Sequence, residues 1–396
     1  MNSGVFYGDA ERVLKTLPPG IVQCCVTSPP YWGLRDYSVA GQFGLEATPD
    51  EYIARMVGVF REVRRMLRDD GTVWLNLGDC YARDPKKGLG GPSTKQDSNR
   101  GSRNRINGPG LALKPKDLCM IPARVALALQ ADGWWLRSDI IWSKPNPMPE
   151  SCTDRPTTAH EHVFLLSKRA RYFYDADAIR EEHTALGRPP GNKSRMYLDR
   201  DPKHHTGEKR RPGEENSFHP AGRNKRTVWE IVTAPYAGAH FATFPPKLVE
   251  PCILAGTSPR ACEICGAPWK RMTVKGEPDE EWKARCRADS GGEYHGTAQK
   301  DYTGTGAENP SEVKARILEG MRKRETTGWQ PTCSCDSEGK GRCLVLDPFA
   351  GSGTTGEVAL KHGRDYLLIE LNRDYEKLIR GRLSLFYAEA EAAVVN

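Results

Sequence analysis

Leu344-Val345-Leu346-Asp347 is a short apolar run that ends in an acid and leads into Pro348-Phe349-Ala350-Gly351-Ser352-Gly353-Thr354-Thr355. Gly351 and Gly353 permit backbone conformations and a close ligand approach that a side chain would block. No Gly-Lys-Ser/Thr follows, so the turn is not a phosphate-binding P-loop. Asp347 would repel a polyphosphate and suits a cationic or amine-bearing ligand. Glu370 closes the next apolar run, 17 residues after Gly353, where a carboxylate can take two ribose hydroxyls. Strand, glycine turn, helix, strand and terminal acid together point to a nucleoside cofactor without a pyrophosphate. S-adenosylmethionine (AdoMet) fits that description.

Two other stretches carry chemistry. Cys25-Val26-Thr27-Ser28-Pro29-Pro30-Tyr31-Trp32-Gly33 places two prolines and two large aromatics at the end of an apolar run. Prolines fix the backbone direction and withdraw it from a ladder, so a rigid loop is the simplest account. Cys262 and Cys265 have the spacing of a zinc knuckle, and Cys333 and Cys335 follow, 68 residues beyond Cys265. Four thiolates close a tetrahedral zinc site and would hold a polar insertion that lacks its own core. Cys286 or Cys343 could replace one of the second pair, and reduced surface thiols are the alternative. Pro251-Cys252 lies in an apolar helical segment and reads as core, as Cys24 and Cys25 read as strand packing. Arg155, His160 and Glu161 read either as an acid–base set or as an ion pair at the head of a strand.

The elements that must hold these residues alternate along the chain. Ile21 to Thr27 reads as a buried strand, and Thr48-Pro49-Asp50-Glu51 as a capping box opening a helix that Gly71 stops. Thr72 to Leu77 is the next strand, Ile121 to Gly133 a helix, and Trp134 to Trp142, His162 to Ser167 and Tyr172 to Tyr174 are strands. Pro245 to Ala255 is a helix. The last segment reads strand Cys343 to Leu346, helix Thr354 to His362, strand Asp365 to Glu370, and a helix from Arg373 to about Ala388. This succession predicts an α/β fold with a mainly parallel sheet. The chain divides into 1–175, 176–240 and 241–396, the last interrupted at 256–341 by an insertion holding five of the twelve cysteines.

With 396 residues and 28% charged content, a globular chain is expected, and no apolar run is long enough for a bilayer. The N-terminus lacks an apolar signal core, so a cytoplasmic protein with reduced thiols is expected. Tyr81 to Lys116 holds nine Lys/Arg against two acids, and Arg180 to Arg226 twelve against seven. Both stretches read as loops, either solvated insertions or a pair that neutralises phosphates.

Leu344 to Thr355 resembles the AdoMet-binding motif of DNA methyltransferases that modify exocyclic amines, and Thr27-Ser28-Pro29-Pro30-Tyr31-Trp32 resembles their catalytic motif. Catalytic motif first and cofactor turn last is the order of the circularly permuted β class. Thr243 to Pro259 is similar to the family segment that lines the methionine end, and Val5 to Ala10 to the strand whose acid, here Asp9, meets the adenine. The resemblance implies a Rossmann-like AdoMet-dependent methyltransferase fold, with the cofactor on Asp9, Phe244, Pro245, Lys247, Leu248, Asp347 to Thr355, Glu370 and Leu371. It implies that Ser28 and the Pro29 carbonyl draw on the hydrogens of a base amine, that Pro30 fixes the turn, and that Tyr31 stacks on the base. Ser28 is typical of enzymes acting on cytosine at N4; adenine N6 methylation stays open, as does a zinc-stabilised DNA-binding protein on an inactive scaffold. The expected partners are double-stranded DNA, contacted by Arg195, Arg210, Arg211, Arg223 and Arg226, and a restriction endonuclease for the same site. A bacterial or phage setting and a monomer or homodimer complete the expectation.

Overall fold

The computed structural model describes residues 3–82, 113–181, 223–233, 244–275 and 324–384. Its strands in chain order are β1 (Gly4–Tyr7), β2 (Val22–Thr27), β3 (Leu67–Leu77), β4 (Trp135–Ser143), β5 (His160–Ser167), β6 (Val228–Glu230), β7 (Lys270–Lys275), β8 (Arg324–Gln330), β9 (Leu344–Asp347) and β10 (Asp365–Glu370). Its helices are α1 (Ala10–Thr16), α2 (Pro49–Met66), α3 (Ile121–Ala131), α4 (Pro246–Gly256) and α5 (Thr354–Lys361), and residues 376–384 are also helical. Eight strands form one sheet in the order β1-β10-β9-β2-β3-β5-β4-β6, while β7 and β8 pair separately. From β1 to β3 all pairs are parallel; β5 runs antiparallel to β3 and β4, and β6 returns parallel to β4. The expected mixed, mainly parallel α/β sheet is present.

β2 and β9 are buried along their whole length, as parallel strands covered on both faces must be. The expected capping box opens α2: Thr48 Oγ1 accepts from the Glu51 amide and Glu51 Oε2 from the Thr48 amide, at 3.2 and 3.4 Å. Tyr52, Met56, Val59, Phe60, Val63 and Met66 then form its buried stripe.

Two expectations fail for local reasons. Gly71 does not stop α2, which ends at Met66; β3 starts at once and carries a bulge against β2 between Val22 and Cys24. A Cβ at Gly71 would lie 3.1 Å from the Gln23 carbonyl, so glycine permits this close passage. Tyr172 to Tyr174 is not a strand. Phe173 donates one hydrogen bond to the Asp70 carbonyl at 2.8 Å, and Tyr174 stacks on Trp74 instead. Cys252 is buried and its thiol reaches the Leu248 carbonyl at 3.2 Å, in keeping with a core residue.

The chain forms two compact units, Met1–Ala178 with Arg226–Lys270 and Trp329–Asn396, and Ile179–Lys225 with Arg271–Gly328. The first contains every site described below apart from Arg223. Among the described residues no helix is long and apolar enough to cross a membrane.

Candidate active site

Parallel pairing brings the carboxyl ends of β1, β10, β9 and β2 to one edge of the sheet, with Tyr7 opposite Glu370 and Leu368 opposite Asp347. Ligands of open α/β sheets bind beyond these ends. A cleft of about 1060 Å³, open mouth included, lies there. The glycine turn contributes Pro348, Phe349, Ala350, Gly351, Ser352 and Thr354, and the end of β10 contributes Glu370 and Leu371. Asp9 and Phe244 line it as expected, and so do Ser28 and Pro30. The turn near the end of the chain and the proline loop near its start therefore share one cavity.

Other residues expected at the cofactor do not line the cleft. Pro245 and Leu248 are buried and Lys247 is exposed at the start of α4, while Gly353 and Thr355 sit under the turn. Asp347 is fully buried beneath the turn, away from the wall. Its carboxylate accepts from Thr27 Oγ1 at 2.6 Å, Thr355 Oγ1 at 2.7 Å and the Phe349 amide at 3.1 Å. Burial raises it to about 6 despite these donors. Asp347 thus ties β2, the turn and α5 together from below.

Glu370 is the carboxylate that faces the cleft. Its oxygens accept from the Gly351 and Asn372 amides at 2.7 and 2.8 Å. Burial pushes it up to about 7 against those two bonds. Gly351 has φ +53° and open space where a Cβ would stand, so the turn leaves room for a ligand. Beside it Ser352 Oγ is buried without a hydrogen-bond partner.

The proline loop is held from three sides. The Pro30 carbonyl accepts from the Tyr52 hydroxyl of α2 at 3.0 Å, while Pro29, which is buried, and Tyr31 do not line the cleft. Trp32 is buried and its indole donates to the Glu46 carbonyl at 3.1 Å, fastening the loop that follows. Gly44, at φ +90°, lets that loop pass the Tyr31 carbonyl, which would lie 2.6 Å from a Cβ.

The Tyr31 hydroxyl donates to Glu161 Oε2 at 2.6 Å and lies 3.1 Å from Asn76 Oδ1 and 3.2 Å from Ser28 Oγ. Burial first, and the Glu161 carboxylate second, hold this phenol well above its ordinary range, so it stays protonated. Lys144 closes the group by pairing with Glu161 Oε1. The expected Arg155–His160–Glu161 set is not assembled. Arg155 pairs with Glu150 at 2.6 Å and covers Tyr81, and His160 is an exposed neighbour of His162. The ion pair at the head of β5 is Glu161 with Lys144.

Sequence reasoning missed Tyr37, Gln42 and Phe43, which line the cleft from the loop after Trp32. Gln42 folds this loop by accepting from the Tyr37 amide at 2.8 Å and donating to the Arg35 carbonyl at 3.1 Å. Arg55 of α2 caps it through the Gly41 carbonyl and lies over Phe43, whose ring meets Phe349 edge-on at 5.2 Å. The glycines at 33, 41 and 44 were the signal. Arg382, which bonds Thr354, gave none.

Cys262, Cys265, Cys333 and Cys335 do come together, all four sulfurs within 4.8 Å of one another. The Cys265 amide donates to Cys262 Sγ at 3.4 Å, and backbone donors lower that thiol to about 6. Gln23 Nε2 ties the knuckle to β2 through the Gly266 carbonyl at 2.6 Å. Cys343 is apart, buried beside β9, and Cys286 lies outside the described residues. Arg195, Arg210 and Arg211 also lie outside them. In the second unit Arg223 pairs with Glu181 at 3.2 Å; the Arg226 carbonyl accepts from the Trp229 indole at 2.7 Å.

This site on this sheet agrees with a match to the DNA methylase family across residues 22–262 and 336–381, and the chain belongs to that family. The type II methyltransferase M.Cfr9I of Citrobacter freundii is 37% identical over 379 residues, covering 96% of this chain and 87% of its own. M.SmaI of Serratia marcescens, also a type II methyltransferase, is 36% identical over 380 residues, covering 96% and 90%. Among solved structures, PvuII DNA methyltransferase (cytosine-N4-specific) aligns at 16% identity with a TM-score of 0.49, covering 96% of this chain and 86% of that one.

Proposed function

We propose that this DNA methylase transfers the methyl group of AdoMet to the N4 amine of a cytosine flipped out of duplex DNA. One observation carries the reading: Ser28 and Pro30 line the same cleft as Gly351 and Glu370. The cleft suits AdoMet, because it offers an orphaned hydroxyl at Ser352, open space beside Gly351 and a buried carboxylate at Glu370. Glu370 would take the ribose hydroxyls, Asp9 the adenine amine, and Phe349 and Phe43 the apolar faces. AdoMet supplies a methyl group already activated on sulfur. The remaining work is to orient the base and draw on its amine, which the family resemblance gives to Ser28, the Pro29 carbonyl and Tyr31. Ser28 favours cytosine on the family tendency. The type II relatives support a restriction–modification role with a companion nuclease. We read 176–240, with Arg223 and Arg226, as the part that meets DNA. Incubation with labelled AdoMet should label duplex DNA, whereas label in RNA or protein alone would overturn the substrate class.

Cofactor affinity should depend on Glu370. Its folded value of about 7 lies above the ordinary 4.5, so the folded cofactor-free chain holds a proton that the unfolded chain has lost between those values. This group's contribution to stability therefore falls as pH rises through that window and is lowest above it. Ribose hydroxyls need the ionised acceptor, so affinity should rise by about tenfold between about pH 6 and about pH 8. Titration calorimetry at the two pH values checks this, and Glu370→Gln should flatten the dependence.

The four thiols are proposed to hold one structural zinc, which would tie Cys262 and Cys265 to Cys333 and Cys335 within the first unit. Metal analysis should find one zinc per chain, and Cys262→Ser should lose it with a drop in Tm. A zinc-free native chain of unchanged Tm would contradict the assignment.

A further inference from the structure

The hydroxyl of Tyr31 is not used by base stacking, which needs only the ring, yet it is the best-bonded atom of the catalytic loop. Tyr31 has one proton, and it is committed to Glu161 Oε2, the shorter of its two acceptor contacts at 2.6 Å against 3.1 Å for Asn76 Oδ1. Ser28 Oγ, 3.2 Å away, must then be the donor in the Ser28–Tyr31 pair. That leaves the lone pairs of Ser28 free to accept in the cleft it lines. The direction is fixed at the far end as well. Asn76 Nδ2 donates to Glu161 Oε2 at 3.0 Å and to the His162 carbonyl at 3.1 Å, which sets the amide with its oxygen toward the phenol. Lys144 occupies Glu161 Oε1, so Oε2 alone faces Tyr31.

We propose that Ser28, Tyr31 and Glu161 form a relay that carries a proton away from the base amine, with Asn76 and Lys144 as positioning residues. The inference rests on the amino-methyltransferase reading above. As the amine nitrogen uses its lone pair to form the new N–C bond, the S–C bond breaks and its electrons remain on sulfur. The nitrogen is then cationic and must release one proton. That proton passes to Ser28 Oγ, the Ser28 proton passes to the Tyr31 oxygen, and the Tyr31 proton passes to Glu161 Oε2. Each oxygen gains one proton and gives one until Glu161 ends neutral; its side chain, 15% exposed, then returns the proton to water. The relay needs no oxidant and no second substrate.

Tyr31→Phe keeps the ring for stacking and removes only the middle oxygen. Single-turnover methyl transfer to unmethylated DNA should fall about 100-fold, with AdoMet affinity and Tm close to native. Glu161→Gln should fall similarly, and the double variant should be no slower than either single, because both interrupt one chain. The solvent deuterium isotope effect on the native rate should shrink in all three. A Tyr31→Phe rate within about twofold of native, or losses that multiply in the double variant, would overturn the relay while leaving the methyltransferase reading intact. A native chain that labels no DNA would overturn both.

Discussion

Asp347→Ala should weaken AdoMet binding by about 100-fold or more, while Asp347→Asn should stay within about tenfold of native. The alanine leaves the hydroxyls of Thr27 and Thr355 and the Phe349 amide without the acceptor they share. Thr355 keeps the Val26 carbonyl at 3.2 Å, but the Thr27 hydroxyl and the Phe349 amide are orphaned at ~1–3 kcal/mol each, so the turn that carries Gly351 loosens from β2. Asparagine keeps one oxygen for Thr27 and Phe349 and offers its amide to Thr355. It also removes a buried charge that burial already penalises. The pair of variants separates two roles. A scaffold under the cleft tolerates asparagine, whereas a counter-charge for a cationic ligand does not. Calorimetric titration with AdoMet reads the difference, and a Tm for each variant separates loss of fold from loss of site.

Gly78→Ala should slow methyl transfer by about 100-fold and leave AdoMet affinity near native. The added carbon would stand 2.6 Å from Tyr31 Cε2, far inside contact distance. The ring is held by its hydroxyl to Glu161, and the Tyr31 carbonyl accepts from the Leu34 amide at 3.4 Å, so a retreat of the ring strains the bond to Glu161. A displacement near one ångström at a positioning group is enough for a loss of this size. Gly78 does not line the cleft, which is why the cofactor should bind as before. Single-turnover rates beside AdoMet titrations test the split, and a native rate would show that the observed ring position is not the productive one.

How much of the molecule is legible in its sequence follows from the range of the interactions. The capping box of α2, the glycine turn and the Cys262–Cys265 knuckle are local patterns, and all three can be read from the residues alone. The meeting of Ser28 with Gly351 is also legible, because the parallel sheet brings the carboxyl ends of its strands to one edge. Spacing marks Asp347 as important but misplaces it on the wall of the cleft, since spacing shows where a side chain leaves the backbone and not what it meets. Glu161 and Asn76 reach Tyr31 from β5 and β3, Lys144 reaches Glu161 from the end of β4, and no local pattern links strands paired in a non-sequential order. Gly71 misleads for a related reason. Glycine stops helices and also admits bulges, and only the neighbouring strand decides between the two.

The central claim is that the cleft places a cytosine amine beside the cofactor's methyl group. The most direct measurement is to incubate the full chain with duplex DNA and labelled AdoMet, digest the DNA to nucleosides and identify the labelled one. Label is expected in N4-methyldeoxycytidine and absent when Ser28 and Tyr31 are both replaced by alanine. Label in N6-methyldeoxyadenosine would contradict the base assignment, and a chain that binds DNA and AdoMet yet transfers no label would contradict the account as a whole.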